Sequence, residues 1–191
     1  MRRLWWVRHG PTHARTMVGW SDLPADLSDT ARIARMTACL PRAAPVVSSD
    51  LSRAVATANA VQGRRPRLAH DPALREIHFG LWERRSFDEI SAETPELIHA
   101  FWEHPGDARA PGGESWHDLQ ARVDGAVNHL LAETDAPDLI VVAHFGTILT
   151  QVQRALRLTA REAFGRRIDN LSVTELRFDG SWHTGMINHC P

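Results

Sequence analysis

The sequence predicts an α/β fold in which a mostly parallel sheet is covered by helices on both faces. Strand-like apolar runs alternate along the 191 residues with segments of helical spacing. The run at 139–143 is apolar throughout, as expected of a strand buried on both sides in a parallel sheet. From Ser115, apolar residues recur at steps of three and four, which indicates an amphipathic helix. This alternation is typical of α/β domains.

The first half of the chain supplies two strands and two helices. Residues 4–7 form an apolar run that ends in a Gly- and Pro-containing polar loop, which predicts a buried strand. A helix follows from Ser28 until Pro41 stops it, and a second short strand covers 45–49. A second helix is expected over 51–61, capped by Ser49 or Asp50 and ended by a glycine. A short strand is then expected near Leu68, and residues 71–82 have no clear period.

The second half contains the strongest helix and a terminal hairpin. Residues 86–114 are helical in patches and interrupted by three prolines. This pattern predicts a lid-like insertion that does not belong to the core. Ser115 and Asp118 resemble a capping box at the start of the long helix. Another helix is expected at 147–156, and strands at 172–178 and 182–187 form a hairpin. The length fits one domain.

The charged residues exclude several enzyme classes. All 22 basic residues are arginines, and the chain has no lysine. It therefore cannot contain a Walker A loop or a lysine Schiff base. Any cationic contact to an anion must come from arginine, from protonated histidine or from backbone N–H groups.

The composition also limits the expected partners and location. The net charge of −1, with both signs interspersed, gives no field that would attract nucleic acid or acidic lipid. Cys39 and Cys190 are far apart in sequence, so a disulfide framework is not expected. The apolar run at 4–7 is too short for a signal peptide or a membrane span. We therefore expect a cytoplasmic protein with neither a nucleic-acid nor a membrane partner.

Histidine and arginine side chains stand where predicted strands end. Arg8 and His9 follow the first strand, His144 follows the strand at 139–143, and Arg53 lies just inside the helix after the second strand. In open α/β sheets, ligands bind at the carboxyl ends of the strands. Arginine forks fit phosphate oxygens, and a neutral imidazole can attack phosphorus to form a covalent intermediate. These residues together indicate phosphoryl chemistry.

Five ordered motifs make the chemistry specific. They are Arg8-His9-Gly10, the segment 49–54 with Thr57-Ala58, the segment 74–83, Gly113-Glu114-Ser115, and 142–146 around His144. In this order they resemble the histidine phosphatase superfamily of phosphoglycerate-mutase-like proteins, and the resemblance covers nearly the whole chain. It implies the three-layer α/β/α fold of that family.

The resemblance also assigns roles to individual residues. It implies that His9 is the phosphorylated nucleophile and that Arg8, Arg53 and His144 hold the phosphate, with a further contact from Thr12. Glu76 is implied as the acid that protonates the leaving oxygen and later activates water. Glu83 is the rival acid, but the family's donor follows a Leu-Arg pair, which selects Glu76.

Some positions depart from the usual family pattern and concern the substrate. Pro11 replaces a polar residue, Arg15 an asparagine, Phe145 a small residue after the second histidine, and Arg84 a frequent glycine. Phe145 is expected to narrow the pocket wall or make it more apolar. Three further histidines lie near motifs and are expected at the surface rather than in the pocket: His13, His78 and His117.

The reaction predicted from these motifs is the hydrolysis of a small phosphorylated metabolite through phosphohistidine. The stretch 79–83 resembles the phosphatase branch of the family, which includes α-ribazole phosphatase and fructose-2,6-bisphosphatase. No cysteine-phosphatase loop is present, since Pro45 stands six residues after Cys39, and no metal-ligand spacing is found among the 11 histidines. Neither a metal nor a cofactor is therefore expected. A mutase and a phosphate-binding domain without turnover remain alternatives, and the oligomeric state is open, with a dimer as one option.

Overall fold

A computed structural model describes all 191 residues and contains one five-stranded sheet and seven α-helices. The strands are β1 (Arg2–Arg8), β2 (Val46–Ser48), β3 (Asp138–Ala143), β4 (Val173–Phe178) and β5 (Trp182–Thr184). The helices are α1 (Thr30–Cys39), α2 (Ser52–Gln62), α3 (Phe87–Glu93), α4 (Pro95–Glu103), α5 (Trp116–Glu133), α6 (Phe145–Leu156) and α7 (Ala160–Phe164).

The sheet has the strand order β2-β3-β1-β4-β5. Its first three strands are parallel, and β4 and β5 are added as an antiparallel hairpin beside β1. The predicted α/β fold with a mostly parallel sheet is thereby confirmed, as is the terminal hairpin. No helix is both long and apolar enough to cross a membrane.

Helices cover both faces of the sheet because each strand divides its side chains between two cores. Along β1, Leu4 and Trp6 belong to the larger core cluster, whereas Trp5 and Val7 belong to the smaller one. Helices α5 and α6 contribute to the larger cluster, and α1 and α2 to the smaller. This alternation follows from the two-residue period of a strand. The sheet and the helices on its two faces therefore form three layers.

The strand register brings the predicted site together. Arg8 of β1 pairs with Ala143 of β3, and Ser48 of β2 pairs with Val142. The loops that follow the three parallel strands therefore begin at one edge of the sheet. His9 and His144 leave neighbouring strands at the same level.

Several predicted boundaries differ from the structure. Asp29, rather than Ser28, caps α1 by accepting from the Arg32 N–H. Neither Ser49 nor Asp50 caps α2, whose N-cap residue is Leu51 without a side-chain bond. Asp50 instead forms an ion pair with a neighbouring arginine, so its carboxylate is already used.

The predicted strand near Leu68 is reduced to one bridge between Val46 and Arg67. Helix α6 begins two residues before the predicted start, and the short α7 was not predicted. At α5 the predicted capping box between Ser115 and Asp118 is present.

The segment at 86–114 is helical, as α3 and α4, but it is not separate from the core. Ile90, Ile98, Phe101 and Ala110 are buried in the larger core cluster. The expectation that this segment is not core was therefore wrong, because its apolar residues belong to the same buried cluster as those of α5 and α6. That it acts as a lid stays a prediction.

Candidate active site

His9 lies at the centre of the site and is buried among cationic neighbours. Its Nδ1 is 2.6 Å from the carbonyl oxygen of Gly10. Because a carbonyl only accepts, Nδ1 carries the ring proton, and the unprotonated Nε2 accepts from the Arg53 Nε–H. Burial, together with the charge of Arg53, lowers the pKa of His9 to about 3. The imidazole is therefore neutral and able to act as a nucleophile.

Arg53 fixes the reactive side of that imidazole. Its Nε is 3.3 Å from His9 Nε2, and its two terminal nitrogens donate to the carbonyl oxygens of Ser21 (2.9 Å) and Gly19 (2.6 Å). The side chain is only 1% exposed, and burial lowers its pKa. A guanidinium has five N–H groups, so donors remain for phosphate oxygens.

His144 and Arg8 line the other sides of the site. The rings of His9 and His144 lie edge to face, with centroids 5.0 Å apart. His144 is fully buried, neither ring nitrogen has a hydrogen-bond partner in the protein, and burial lowers its pKa. Arg8 donates to the Ile168 carbonyl oxygen at 2.6 Å, while its buried Nε has no partner. Unpaired buried donors are costly, so these atoms suit an anionic ligand.

Glu76 reaches the site from the loop after a short 3-10 turn. Its two carboxylate oxygens accept from the N–H groups of Ile77 (2.9 Å) and Gly146 (3.0 Å). Since Gly146 lies in the first turn of α6, two residues after His144, this bond fixes the carboxylate beside the second histidine. A side chain at Gly146 would displace the carboxylate, because a Cβ there would lie 2.4 Å from Glu76 Oε1.

These side chains share one polar cavity of about 150 Å³ at the carboxyl edge of the sheet. Arg8, His9, Arg53 and Glu76 all line this phosphate pocket, and Thr12 lies on its rim. His144 does not line the cavity itself but packs against the His9 ring. The structure thus brings together all six residues that the sequence singles out.

Glu83, the rival acid, is fully engaged elsewhere. Its carboxylate accepts the N–H groups of Gly19 (3.1 Å), Trp20 (2.7 Å), Ser21 (3.1 Å) and Phe79 (3.2 Å). These hydrogen bonds outweigh burial and lower the pKa of Glu83. A carboxylate held by four backbone donors is suited to holding a loop.

The other histidines near motifs lie outside the phosphate pocket. His13 and His117 are exposed, and each contacts an aspartate, Asp26 and Asp107 respectively. His78 packs against Trp20 with ring centroids 4.5 Å apart. None of the three lines the polar cavity.

The departures from the family pattern have distinct structural roles. Phe145 lies under the guanidinium of Arg8, whose Cζ is 5.3 Å from the ring centroid. Arg84 has φ of 63°, a left-handed conformation that glycine adopts without strain. Arg15 is exposed and does not line the phosphate pocket.

Several supporting residues were not assigned roles from the sequence. Thr57 accepts from the Gly10 N–H at 3.0 Å, and Asn170 donates to the His9 carbonyl oxygen at 2.8 Å, so both hold the nucleophile's backbone. Arg122 donates to the carbonyl oxygens of Arg75 (3.0 Å) and Glu76 (3.1 Å) and holds the acid's loop. Thr57 belongs to one of the five ordered motifs, whereas Asn170 lies outside them and Arg122 has no sequence signal beyond its place on α5.

The arrangement can bind a phosphoryl group and attack it. It offers guanidinium and imidazole donors, an unprotonated Nε2, and the carboxyl group of a residue that lines the same pocket. No three histidine, cysteine, aspartate or glutamate side chains are grouped so as to hold a metal ion.

Comparison with known proteins agrees with this geometry. Residues 4–185 match the family model "Histidine phosphatase superfamily (branch 1)". An adenosylcobalamin/alpha-ribazole phosphatase of Salmonella typhimurium is 31% identical over 173 residues, covering 87% of this chain and 86% of that protein. A probable phosphoglycerate mutase of Serratia proteamaculans is 28% identical and covers 92% of this chain and 85% of its own.

Solved structures show the same fold along the whole chain. YhfR of Bacillus stearothermophilus has a TM-score of 0.91 at 27% identity, covering 100% of this chain and 98% of its own. A mycobacterial glucosyl-3-phosphoglycerate phosphatase in complex with VO3 has a TM-score of 0.85 at 28% identity, covering 99% and 100%. Family and relatives together support a phosphatase enzyme. The chain belongs to branch 1 of the histidine phosphatase superfamily.

Proposed function

We propose that the protein is a metal-independent phosphomonoesterase that hydrolyses a small phosphorylated substrate through a phosphohistidine at His9. The observation that carries this proposal is the state of the His9 ring: its proton is on Nδ1, and Nε2 faces Arg53 at 3.3 Å. A neutral imidazole held against a guanidinium is arranged to attack a phosphate that the guanidinium binds.

The first half-reaction transfers the phosphoryl group to the enzyme. Nε2 of His9 forms a bond to phosphorus while the bond to the leaving oxygen breaks, and Glu76 gives its proton to that oxygen. Arg8, Arg53 and His144 donate hydrogen bonds to the remaining phosphate oxygens, and Thr12 adds a contact at the rim. Fixed donors of this kind stabilise charge in the transition state without reorganisation.

The second half-reaction returns the enzyme to its starting state. The Glu76 carboxylate takes a proton from water as the water oxygen attacks phosphorus, and the bond to His9 Nε2 breaks. Inorganic phosphate leaves, and Glu76 is protonated again for the next cycle. Both half-reactions use the same acid–base group, which balances the protons.

Hydrolysis is favoured over mutase chemistry by the segment at 79–83 and by the phosphatase names of several relatives. A mutase is the second candidate, since another relative is named a probable phosphoglycerate mutase. The two differ in the lifetime of the phosphoenzyme, because a mutase must hold it against water while the product reorients.

The test traps the intermediate. His9→Ala should abolish phosphate release from phosphomonoesters, while Glu76→Gln should slow dephosphorylation so that acid-labile phosphate accumulates on the protein. Glu93→Gln is the matched control and should not accumulate phosphoenzyme, since its carboxylate is exposed and pairs with Arg85 at the surface.

Three results would count against the proposal. If His9→Ala leaves the measured phosphate release at the wild-type level, that release does not depend on His9, and the chain is a phosphate-binding domain without turnover of its own. Absence of labelled phosphohistidine in Glu76→Gln would contradict the role of the acid. A stable phosphoenzyme in the wild type, with turnover of 3-phosphoglycerate, would support the mutase.

A further inference from the structure

A second cavity adjoins the phosphate pocket and is lined almost wholly by aromatic rings. Its walls are Phe79, Phe101, Trp102, Trp116, Phe145 and Phe164, with Ile77 and Gly146, and its remaining wall is Glu76. We call it the aromatic slot. Glu76 lines both the phosphate pocket and the slot, so this residue borders both cavities.

The position of Glu76 relates the slot to the reaction. An acid that protonates the leaving oxygen must lie beside it, so the carbon bonded to that oxygen begins next to Glu76. The aromatic slot is an enclosed space next to this position, so it is available to the rest of the leaving group. Phe145 also connects the two cavities, because its ring contacts the Arg8 guanidinium and lines the slot.

We infer that the substrate is a phosphate ester of an apolar, planar alcohol, whose leaving group enters the aromatic slot. The inference rests on the proposed phosphatase function and names its substrate class. Aside from Glu76, the slot presents no charged side chain. Sugar hydroxyls placed there would lose hydrogen bonds to water without regaining them, whereas an aromatic ring would gain apolar contacts.

The rings of the slot form a continuous cluster. Trp102 lies edge to face against Phe101 (5.2 Å between centroids) and Phe164 (5.6 Å). Phe164 in turn packs against Trp116 at 4.4 Å, and the Trp116 indole N–H donates to Gln153 at 2.6 Å. Trp116 is therefore fixed by a hydrogen bond. The Trp102 indole N–H has no partner, so only ring contacts hold Trp102 in place.

The slot must widen to admit a ring. Its volume is about 30 Å³, whereas a cavity that binds benzene measures roughly 150 Å³. A planar ring that enters edge-on needs the least widening. The half-buried Trp102 is the wall that can shift to admit it, because side-chain rotations on binding are common.

Two of the slot's walls come from the segment at 86–114. Phe101 and Trp102 lie on α4, and the slot is completed by Phe164 of α7. The helical segment at 86–114 thus shapes the leaving-group side, while the phosphate side is built from the strand ends.

The experiment compares two esters of primary alcohols, benzyl phosphate and glycerol 3-phosphate, so that leaving-group chemistry is similar and apolar character differs. The wild type should hydrolyse benzyl phosphate with a kcat/KM at least tenfold higher. Trp102→Ala should lower kcat/KM for benzyl phosphate about tenfold and change that for glycerol 3-phosphate less than twofold. Phe87→Ala is the matched control, because Phe87 lies in the same segment but is 42% exposed and outside the slot.

The outcomes separate this inference from the proposed function. If glycerol 3-phosphate is turned over as fast as benzyl phosphate, or if Trp102→Ala lowers both equally, the inference is wrong while the phosphatase function stands. If neither ester is hydrolysed and no phosphohistidine forms, the proposed function itself fails. Should Trp102→Ala fold poorly by circular dichroism, Trp102→Leu and the wild-type comparison still decide the question.

Discussion

All three guanidinium nitrogens of Arg53 make hydrogen bonds in the site. One nitrogen faces the nucleophile, and the other two donate to the carbonyl oxygens of Gly19 and Ser21. An ammonium group has three donors on one atom and cannot span these acceptors while also meeting phosphate oxygens. In a chain without lysine, this dependence on planar donors is a property of the site itself.

We therefore predict that Arg53→Lys lowers kcat/KM for a phosphomonoester by about 10²-fold or more, the usual cost of losing one fixed donor to a developing charge. Steady-state kinetics would measure it. Arg64→Lys is the control, since Arg64 is exposed in the turn after α2, and it should leave kcat/KM unchanged. Activity of Arg53→Lys within threefold of the wild type would show that charge alone suffices.

At the level of elements, the loop at 19–21 connects the Glu83 carboxylate to the Arg53 guanidinium. Glu83 accepts three of this loop's N–H groups, and the carbonyl oxygens of Gly19 and Ser21 in turn accept from Arg53. Gly19 approaches so closely that a Cβ there would lie 2.0 Å from the Ile77 carbonyl oxygen. Glu83 is thus a positioning residue that acts through the loop on Arg53.

Glu83→Gln should weaken this loop, because the amide group places N–H donors against backbone N–H donors. We expect the free energy of unfolding to fall by about 2 kcal/mol, the usual cost of buried unsatisfied donors, and kcat/KM to fall about tenfold. Glu93→Gln, at the surface, is the control. The decisive measurement is the double variant: if Glu83 acts through Arg53, Glu83→Gln should not reduce kcat/KM further once Arg53 is alanine.

The same loop shows what sequence patterns can and cannot predict. His9, Arg8 and His144 follow apolar strands in sequence, so the general rule for α/β sheets was enough to bring them to one edge. Glu83 gave no such signal for its role, because its four donors lie on segments that meet only in the folded chain. The choice between Glu76 and Glu83 came from motif position, and nothing in local spacing distinguishes an acid from a loop anchor.

The predicted start of α2 and the predicted role of the segment at 86–114 were wrong for a related reason. Asp50 has the residue type and position of an N-cap, yet its carboxylate pairs with Arg75 at 2.5 Å. A tertiary ion pair therefore outcompeted a local cap. In the segment at 86–114, the prolines suggested a peripheral lid, whereas Pro95 begins α4 at a position where proline is tolerated, and the apolar residues beyond it reach the core.

For the whole molecule, the site places two neutral histidines in a buried, cationic environment. His9 faces Arg8, Arg53, His144 and Glu76, and its pKa is lowered from 6.5 to about 3, first by burial and then by Arg53. The pKa of His144 is lowered by burial and by His9. The unfolded chain therefore binds protons on these residues at a higher pH than the folded chain does. Between pH 6.5 and the lowered pKa values, acidification must favour unfolding.

We predict that the free energy of unfolding falls as the pH is lowered from 6.5 to 4.5, by up to about 1.4 kcal/mol per pH unit for each of the two histidines. Carboxylates with lowered pKa values, such as Asp50 and Glu83, add to this loss as the pH approaches their unfolded pKa values of 3.8 and 4.5, so the slope above about pH 5.5 reports the histidines. Urea unfolding at several pH values measures the slope. His144→Asn should remove about half of it, since asparagine does not titrate. A wild-type free energy that stays constant across this window would show that the two imidazoles accept protons in the folded protein as readily as in the unfolded chain, and would remove the reason for expecting His9 to be neutral at mildly acidic pH.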